Sequence, residues 1–169
     1  SCEQYWAERL DSFTGAPAIP LAVDPQTITD PRFVRRQHRI PAPIWNEFVN
    51  RAAAARLTPG AALLTLYGKV VERWGSGSGF TMNVPLFNRA GVGPALADVV
   101  ADFTSLVMVQ ITPDATTGLA EEVRRVQCAL HEAISHDAYS GVDVQRSWLR
   151  EHPGQRTMAP VVFSCNIGV

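Results

Sequence analysis

Polar side chains interrupt three apolar stretches of this sequence, each at or near the end of a predicted strand. They are Asn88 with Arg89, then Asp102 with Thr104 and Ser105, and finally Ser164 with Cys165 and Asn166. In open α/β sheets, ligands gather at strand ends. We therefore expect these carboxylate, hydroxyl and amide groups to line one cleft. Next to the aromatic Phe103, a carboxylate is also a group whose pKa an apolar environment would raise.

Each of these residues also has a purely structural interpretation. Asp102 stands directly before an apolar run, where an aspartate commonly serves as a turn or cap residue. The hydroxyls of Thr104 and Ser105 can hydrogen-bond to the backbone, and Cys165 suits a small buried apolar position. Taken one at a time, each of these residues is better explained by a structural role than by a function. Only their shared position at strand ends supports a functional site.

The elements that must position these residues form an α/β pattern. Four strands are predicted from apolar or alternating runs: RFVRRQHRI at 32–40, with Phe33 and Ile40 inward, then FTMNVPLF, SLVMVQI and PVVFSCNI. The run SLVMVQI is almost unbroken in apolar residues, which is typical of a strand covered on both faces. The proline-rich stretch before residue 32 predicts an extended connector. A layered sheet with flanking helices follows.

Five helices are predicted from apolar spacing and end signals. Tyr5, Trp6 and Leu10 share one helix face, and a second helix follows Pro43. In LTPGAALLTLYGKVVERWG, Thr58 suits the N-cap, Pro59 the first helical position and Gly75 the end. Thr117 is expected to cap a long helix with Leu119, Val123, Val126 and Leu130 on one side. A short helix, VDVQRSWLREH, comes next.

Composition argues against several classes of function. A net charge of −1 provides no basic field for nucleic acid and no polybasic patch for a membrane. Three cysteines without CxxC spacing and no secretory segment predict reduced thiols and a cytoplasmic location. His131 and His136 are five residues apart, which is not the i, i+4 spacing of a helical metal site, so no metal is expected.

Five motifs in order resemble the heterocyclization domains of nonribosomal peptide synthetases, which are relatives of the condensation domains. The stretches are APAIPLAVDP, RLTPGAALLTLYGKVVERW, VPLFNR, ADFTSLVMV and PVVFSCNIG. The fourth is similar to the family pattern (G/A)DFTxLxLL, and the fifth to PVVFTSxL. The fifth departs from its pattern at two positions: Ser164 occupies the place of the pattern's threonine, and Cys165 that of its serine.

The resemblance implies a chloramphenicol-acetyltransferase-like fold with two lobes. Residues 1–169 match the second, C-terminal lobe of such a domain. The N-terminal lobe, with its acidic DxxxxD motif, and the final motif with a catalytic aspartate are expected outside this sequence, which reads as a fragment of a longer chain.

The resemblance also implies a reaction. Such domains join a carrier-bound acyl or peptidyl thioester to cysteine, serine or threonine, then expel water to form a thiazoline or oxazoline. These steps need placed hydrogen-bond donors and a carboxylate that exchanges protons. The implied catalytic residues are Ser164, at the amide oxygen, then Asp102, Thr104 and Asn88; Ser105, Cys165 and Asn166 are implied to line the substrate tunnel.

The implied partners are peptidyl carrier protein domains, neighbouring synthetase domains and the other lobe, with self-association of this lobe as a further prediction. Substrates would arrive on phosphopantetheine arms, and neither a bound cofactor nor a metal is implied. Two alternatives stay open. One is a truncated, inactive lobe that acts as a structural or carrier-docking module. The other is a plain amide-forming condensation domain or an acyl-CoA acyltransferase of the same fold, which predicts HHxxxDG upstream.

Overall fold

The computed structural model describes residues 1–75, 79–87, 104–112, 114, 116–155 and 157–167. In these ranges a small sheet lies between helices. The elements are α1 (Cys2–Ala7), α2 (Ala42–Ala54), α3 (Pro59–Trp74), β1 (Phe80–Phe87), β2 (Thr104–Ile111), α4 (Leu119–Ser135) and α5 (Gly141–Glu151), with short 3₁₀ helices at Leu10–Ser12 and Pro25–Thr27.

The two strands pair antiparallel in a register that runs from Phe80↔Ile111 to Phe87↔Thr104. On its other edge, β1 is joined by residues 161–163 through a parallel bridge between Asn83 and Val162. The Asn83 N–H donates to Val161 O, and its carbonyl accepts from Phe163 N, both at 2.9 Å. Both edges of β1 are therefore hydrogen-bonded near its centre.

Helices cover both faces of this sheet. On one face α3 lies so close that a Cβ on Gly68 would be 3.0 Å from the Ile111 side chain. On the other face a Cβ on Gly141 of α5 would be 2.9 Å from the Leu106 carbonyl oxygen. The middle of β2, at residues 107–109, is accordingly buried without alternation. This confirms the prediction of a strand covered on both sides.

The end signals of α3 are confirmed. Thr58 Oγ1 accepts a hydrogen bond from Ala61 N at 3.2 Å, Pro59 opens the helix, and Gly75 follows its last residue. The predicted cap of α4 is wrong, because Gly118 occupies the N-cap. Thr117 Oγ1 instead accepts from Arg125 Nη2 at 2.8 Å, which ties the preceding loop to the helix. Leu119, the first residue of α4, is 49% exposed, whereas Val123 and Val126 on the same side of the helix are buried.

The predicted strand at 32–40 is wrong. This stretch has no regular structure, and Phe33, expected to face inward, is 95% exposed, while Ile40 is 48% exposed. Four arginines and one histidine leave three apolar residues in this stretch, too little area to offset the entropy of ordering it. The predicted strand at 160–167 is wrong in extent, since within the described residues it contributes one bridge.

Candidate functional site

The described members of the predicted site lie at one end of the sheet. Thr104 opens β2 opposite Phe87, the last residue of β1, and Ser105 pairs with Leu86. Because Phe163 is hydrogen-bonded to Asn83 and runs parallel to β1, the residues after it continue toward the same end. Those residues are Ser164, Cys165 and Asn166.

Strand alternation divides this group between the two faces of the sheet. Phe163 points to α3, with its ring 5.9 Å from that of Tyr67, and Cys165 Sγ lies 3.9 Å from the position of a Cβ on Gly60. Ser164 and Asn166 alternate with these residues and are exposed. The hydroxyl of Ser164 is thus open to a substrate, whereas Cys165 is half-buried against α3.

The structure describes two of the remaining predicted residues, Thr104 and Ser105. Thr104 is exposed and Ser105 is half-buried. Asn88, Arg89 and Asp102 lie outside the described residues, so their roles stay predictions.

Burial raises the pKa of the Cys165 thiol above its ordinary value. A thiol with a raised pKa stays protonated at neutral pH, and the thiolate is the nucleophilic form. Cys165 is therefore better suited to form a wall of the site than to act as a nucleophile.

A buried polar residue that the sequence analysis missed, Asn83, holds this region together. Its Nδ2 donates to the Ala159 carbonyl at 2.7 Å, and its Oδ1 accepts from Gln145 Nε2 at 3.4 Å. Gln145 Oε1 in turn accepts from Thr157 Oγ1 at 3.3 Å. The signal was present in the sequence, since Asn83 is an amide in the middle of the apolar strand FTMNVPLF.

Two further features of the described residues bear on function. Among them, no group of three or more histidine, cysteine, aspartate or glutamate side chains is arranged to hold a metal ion. None of the helices in the described part combines the length and apolar character needed to cross a membrane.

The sequence matches the Condensation domain family over residues 1–165. Pyochelin synthetase PchE of Pseudomonas aeruginosa is 37% identical over 164 residues, covering 97% of this chain and 11% of that protein. Phenyloxazoline synthase MbtB of Mycolicibacterium paratuberculosis is 34% identical over 165 residues, covering 98% of this chain and 14% of the relative. This chain thus spans a small part of the curated relatives that it matches.

Solved structures agree with the sequence relatives. The EpoB NRPS cyclization-docking bidomain from Sorangium cellulosum superposes with a TM-score of 0.87 at 31% identity, over 99% of this chain and 34% of that one. The X-domain from teicoplanin biosynthesis, at 17% identity and a TM-score of 0.72, shows the shared fold alone. The chain therefore belongs to the condensation-domain family of nonribosomal peptide synthetases and has the chloramphenicol-acetyltransferase-like fold of its cyclization domains.

Proposed function

We propose that this chain is the C-terminal lobe of a heterocyclization domain that makes a thiazoline or oxazoline. The observation that carries the proposal is the match, over nearly the whole chain, to a synthase named for a phenyloxazoline and to a solved cyclization domain. The DFT signature at 102–104 and the exposed Ser164 hydroxyl at the end of the sheet support it. The complete domain, meaning this lobe with its N-terminal lobe, is the active unit.

The proposed reaction has two stages. First, the amine of a tethered cysteine, serine or threonine attacks the thioester carbonyl of the donor, and the donor thiol leaves as the amide forms. Next, the thiol or hydroxyl of that residue attacks the amide carbon to give a tetrahedral adduct. That attack closes the ring. The former amide oxygen then takes up the proton of the attacking thiol or hydroxyl and the proton of the amide nitrogen and leaves as water, so that a carbon–nitrogen double bond forms within the ring.

Ser164 acts in the second stage by donating a hydrogen bond to the amide oxygen as negative charge develops on it. Its exposure leaves the hydroxyl accessible to a substrate, and the bonds from Asn83 to the preceding residues hold its backbone in place. The side-chain amide of Asn88 donates a hydrogen bond to a substrate carbonyl, while Asp102 and Thr104 shape the substrate tunnel.

Both substrates arrive on phosphopantetheine arms of peptidyl carrier protein domains, so the proposed partners are those carriers and the neighbouring synthetase domains. That several of the similar structures are multidomain synthetases supports this assignment. The chemistry uses side chains and substrate groups, and it requires no bound cofactor.

The test is to reconstitute the complete domain with a loaded donor carrier and with cysteine, serine or threonine on the acceptor carrier, followed by mass spectrometry of the acceptor. A product one water lighter than the linear amide supports the proposal. A linear amide alone identifies a plain condensation domain. No transfer, together with retained carrier binding, identifies a docking module.

A further inference from the structure

A cavity of about 310 Å³ opens at the same end of the sheet as Ser164, on the face covered by α3 and α4. Its walls come from the start of α3, the second half of β1, the end of α4 and residues 163–167. The residues that define it are Gly60, Leu64, Leu86, Leu130, Phe163 and Cys165.

The walls are chemically uniform. Among the described residues, none that lines the cavity carries a charge. The hydroxyl of Thr58 is already engaged in capping α3 through Ala61 N. The neutral thiol of Cys165 is the other side chain with a heteroatom there. Such a cavity favours an uncharged apolar group over a polar or ionic one.

The cavity adjoins the candidate site. Leu86 lines it and pairs across the sheet with Ser105, and Cys165 directly follows Ser164 in the chain. The cavity lies on the face of the sheet that carries Cys165, opposite the face of Ser164, so a substrate whose carbonyl is at Ser164 reaches it around the end of the sheet.

Gly60 matters for the size of the cavity, because it has no side chain, and not for its backbone conformation. It lies in the first turn of α3 and does not adopt a positive φ, so its conformation does not require glycine. A Cβ at this position would meet Cys165 Sγ at 3.9 Å, on the opposite wall. Any side chain longer than alanine would therefore extend into the space between α3 and Cys165.

We propose that this cavity binds the apolar acyl portion of the donor thioester, with Gly60 and Cys165 setting its depth. The inference rests on the proposed function, which supplies an acyl thioester as substrate. The acceptor side chain is the less suitable occupant, because its thiol or hydroxyl must reach the amide carbon to close the ring. Gly60 and Cys165 thus determine substrate specificity without taking part in the chemistry.

Two stable probes test this in the complete domain: pantetheine amides, acetylated or hexanoylated, in which nitrogen replaces the thioester sulfur. We expect the wild-type domain to bind the hexanoyl probe at least about tenfold more tightly, since each buried methylene contributes up to about fourfold. Gly60→Ala should keep this preference, whereas Gly60→Leu should abolish it without weakening the acetyl probe. Ala53→Leu, on an exposed part of α2, is the control for added apolar surface.

A Gly60→Leu domain that still prefers the hexanoyl probe would overturn the inference. If that variant does not fold, alkylation of the wild-type domain decides: the hexanoyl probe should slow the reaction of Cys165 but not that of the exposed Cys128. Equal rates with and without the probe would overturn it as well. These measurements do not involve ring formation, so the cavity inference and the proposed function can fail separately.

Discussion

The side-chain amide of Asn83 donates a 2.7 Å hydrogen bond to the carbonyl oxygen of Ala159, 76 residues further along the chain. The backbone of Asn83 also bonds to Val161 and Phe163. One residue of β1 thus fixes the stretch that carries Ser164. An exposed hydroxyl is useful in a chemical step only if its backbone is held, and these three bonds hold it.

Asn83→Asp should therefore be strongly destabilising. The carboxylate would place an oxygen against the Ala159 carbonyl in a buried position, and we expect the free energy of unfolding to fall by about 3 kcal/mol. Chemical denaturation of the complete domain measures this. Gln145→Met, which removes the 3.4 Å bond to Asn83 and the 3.3 Å bond from Thr157 but leaves the bond from Asn83 to Ala159, should cost less, about 1 kcal/mol. Equal losses in the two variants would contradict the role given to Asn83.

Gly141→Ala should destabilise the packing of α5 on the sheet. The new Cβ would lie 2.9 Å from the Leu106 carbonyl oxygen and 3.1 Å from its carbon, and a backbone group inside a sheet yields little. We expect a loss of about 1–3 kcal/mol by thermal or chemical unfolding. The matched control is Gly60→Ala, where the Cβ meets only Cys165 Sγ at 3.9 Å. That change should stabilise α3 by about 0.5 kcal/mol. If Gly141→Ala and Gly60→Ala changed the free energy of unfolding by the same amount and in the same direction, the close contact at Gly141 would not be the cause of the loss.

Lys69 and Glu122 form the ion pair that joins α3 to α4, with a 2.6 Å bond to a carboxylate side chain that is only 7% exposed. Lys69→Met should lower the free energy of unfolding by about 2 kcal/mol, because it leaves that carboxylate without its cation. Adding Glu122→Leu should restore much of the loss. Arg146→Met, at the exposed pair with Asp143, should cost less than about 0.5 kcal/mol. If the double variant were no more stable to unfolding than Lys69→Met alone, the unpaired Glu122 carboxylate would not be the cause of the lost stability.

Cys165 should titrate above the ordinary thiol value of 9.0, because burial raises its pKa. A raised pKa means that less thiolate is present at any given pH, so alkylation should be slow at neutral pH and should accelerate only in the alkaline range. The measurement is the rate of iodoacetamide modification of the Cys165 peptide against pH. In denaturant the same peptide should return to the ordinary midpoint. A native midpoint at or below 9.0 would contradict the burial of this thiol.

Local signals predicted much of the fold. Thr58, Pro59 and Gly75 define α3 because capping and helix termination depend on neighbouring residues alone. The apolar runs of β1 and β2 were sufficient to place both strands. The stretch at 32–40 could not be placed in this way, since alternation forms a strand only where a partner edge and a covering layer exist.

The site was less accessible to sequence reasoning. Polar residues at strand ends predicted that Thr104, Ser105 and Ser164 come together, and they do lie at one end of the sheet. The division of Ser164 and Cys165 between two faces depends on the bridge to Asn83. The role of Asn83 depends on a contact 76 residues away, which no local pattern encodes. The cavity likewise forms from four separate parts of the chain.

The central claim is that Ser164 serves ring closure, and the direct test follows the two stages separately in a single turnover. Rapid quenching and mass spectrometry of the acceptor carrier give the rates of amide formation and of water loss. For Ser164→Ala in the complete domain we expect amide formation within about twofold of the wild type and water loss slowed by about 10²-fold, the effect of removing one hydrogen-bond donor to a developing oxyanion. Ser164→Thr, which retains the hydroxyl, should recover most of the second rate. Equal slowing of both stages in Ser164→Ala, or no slowing of either, would contradict the account.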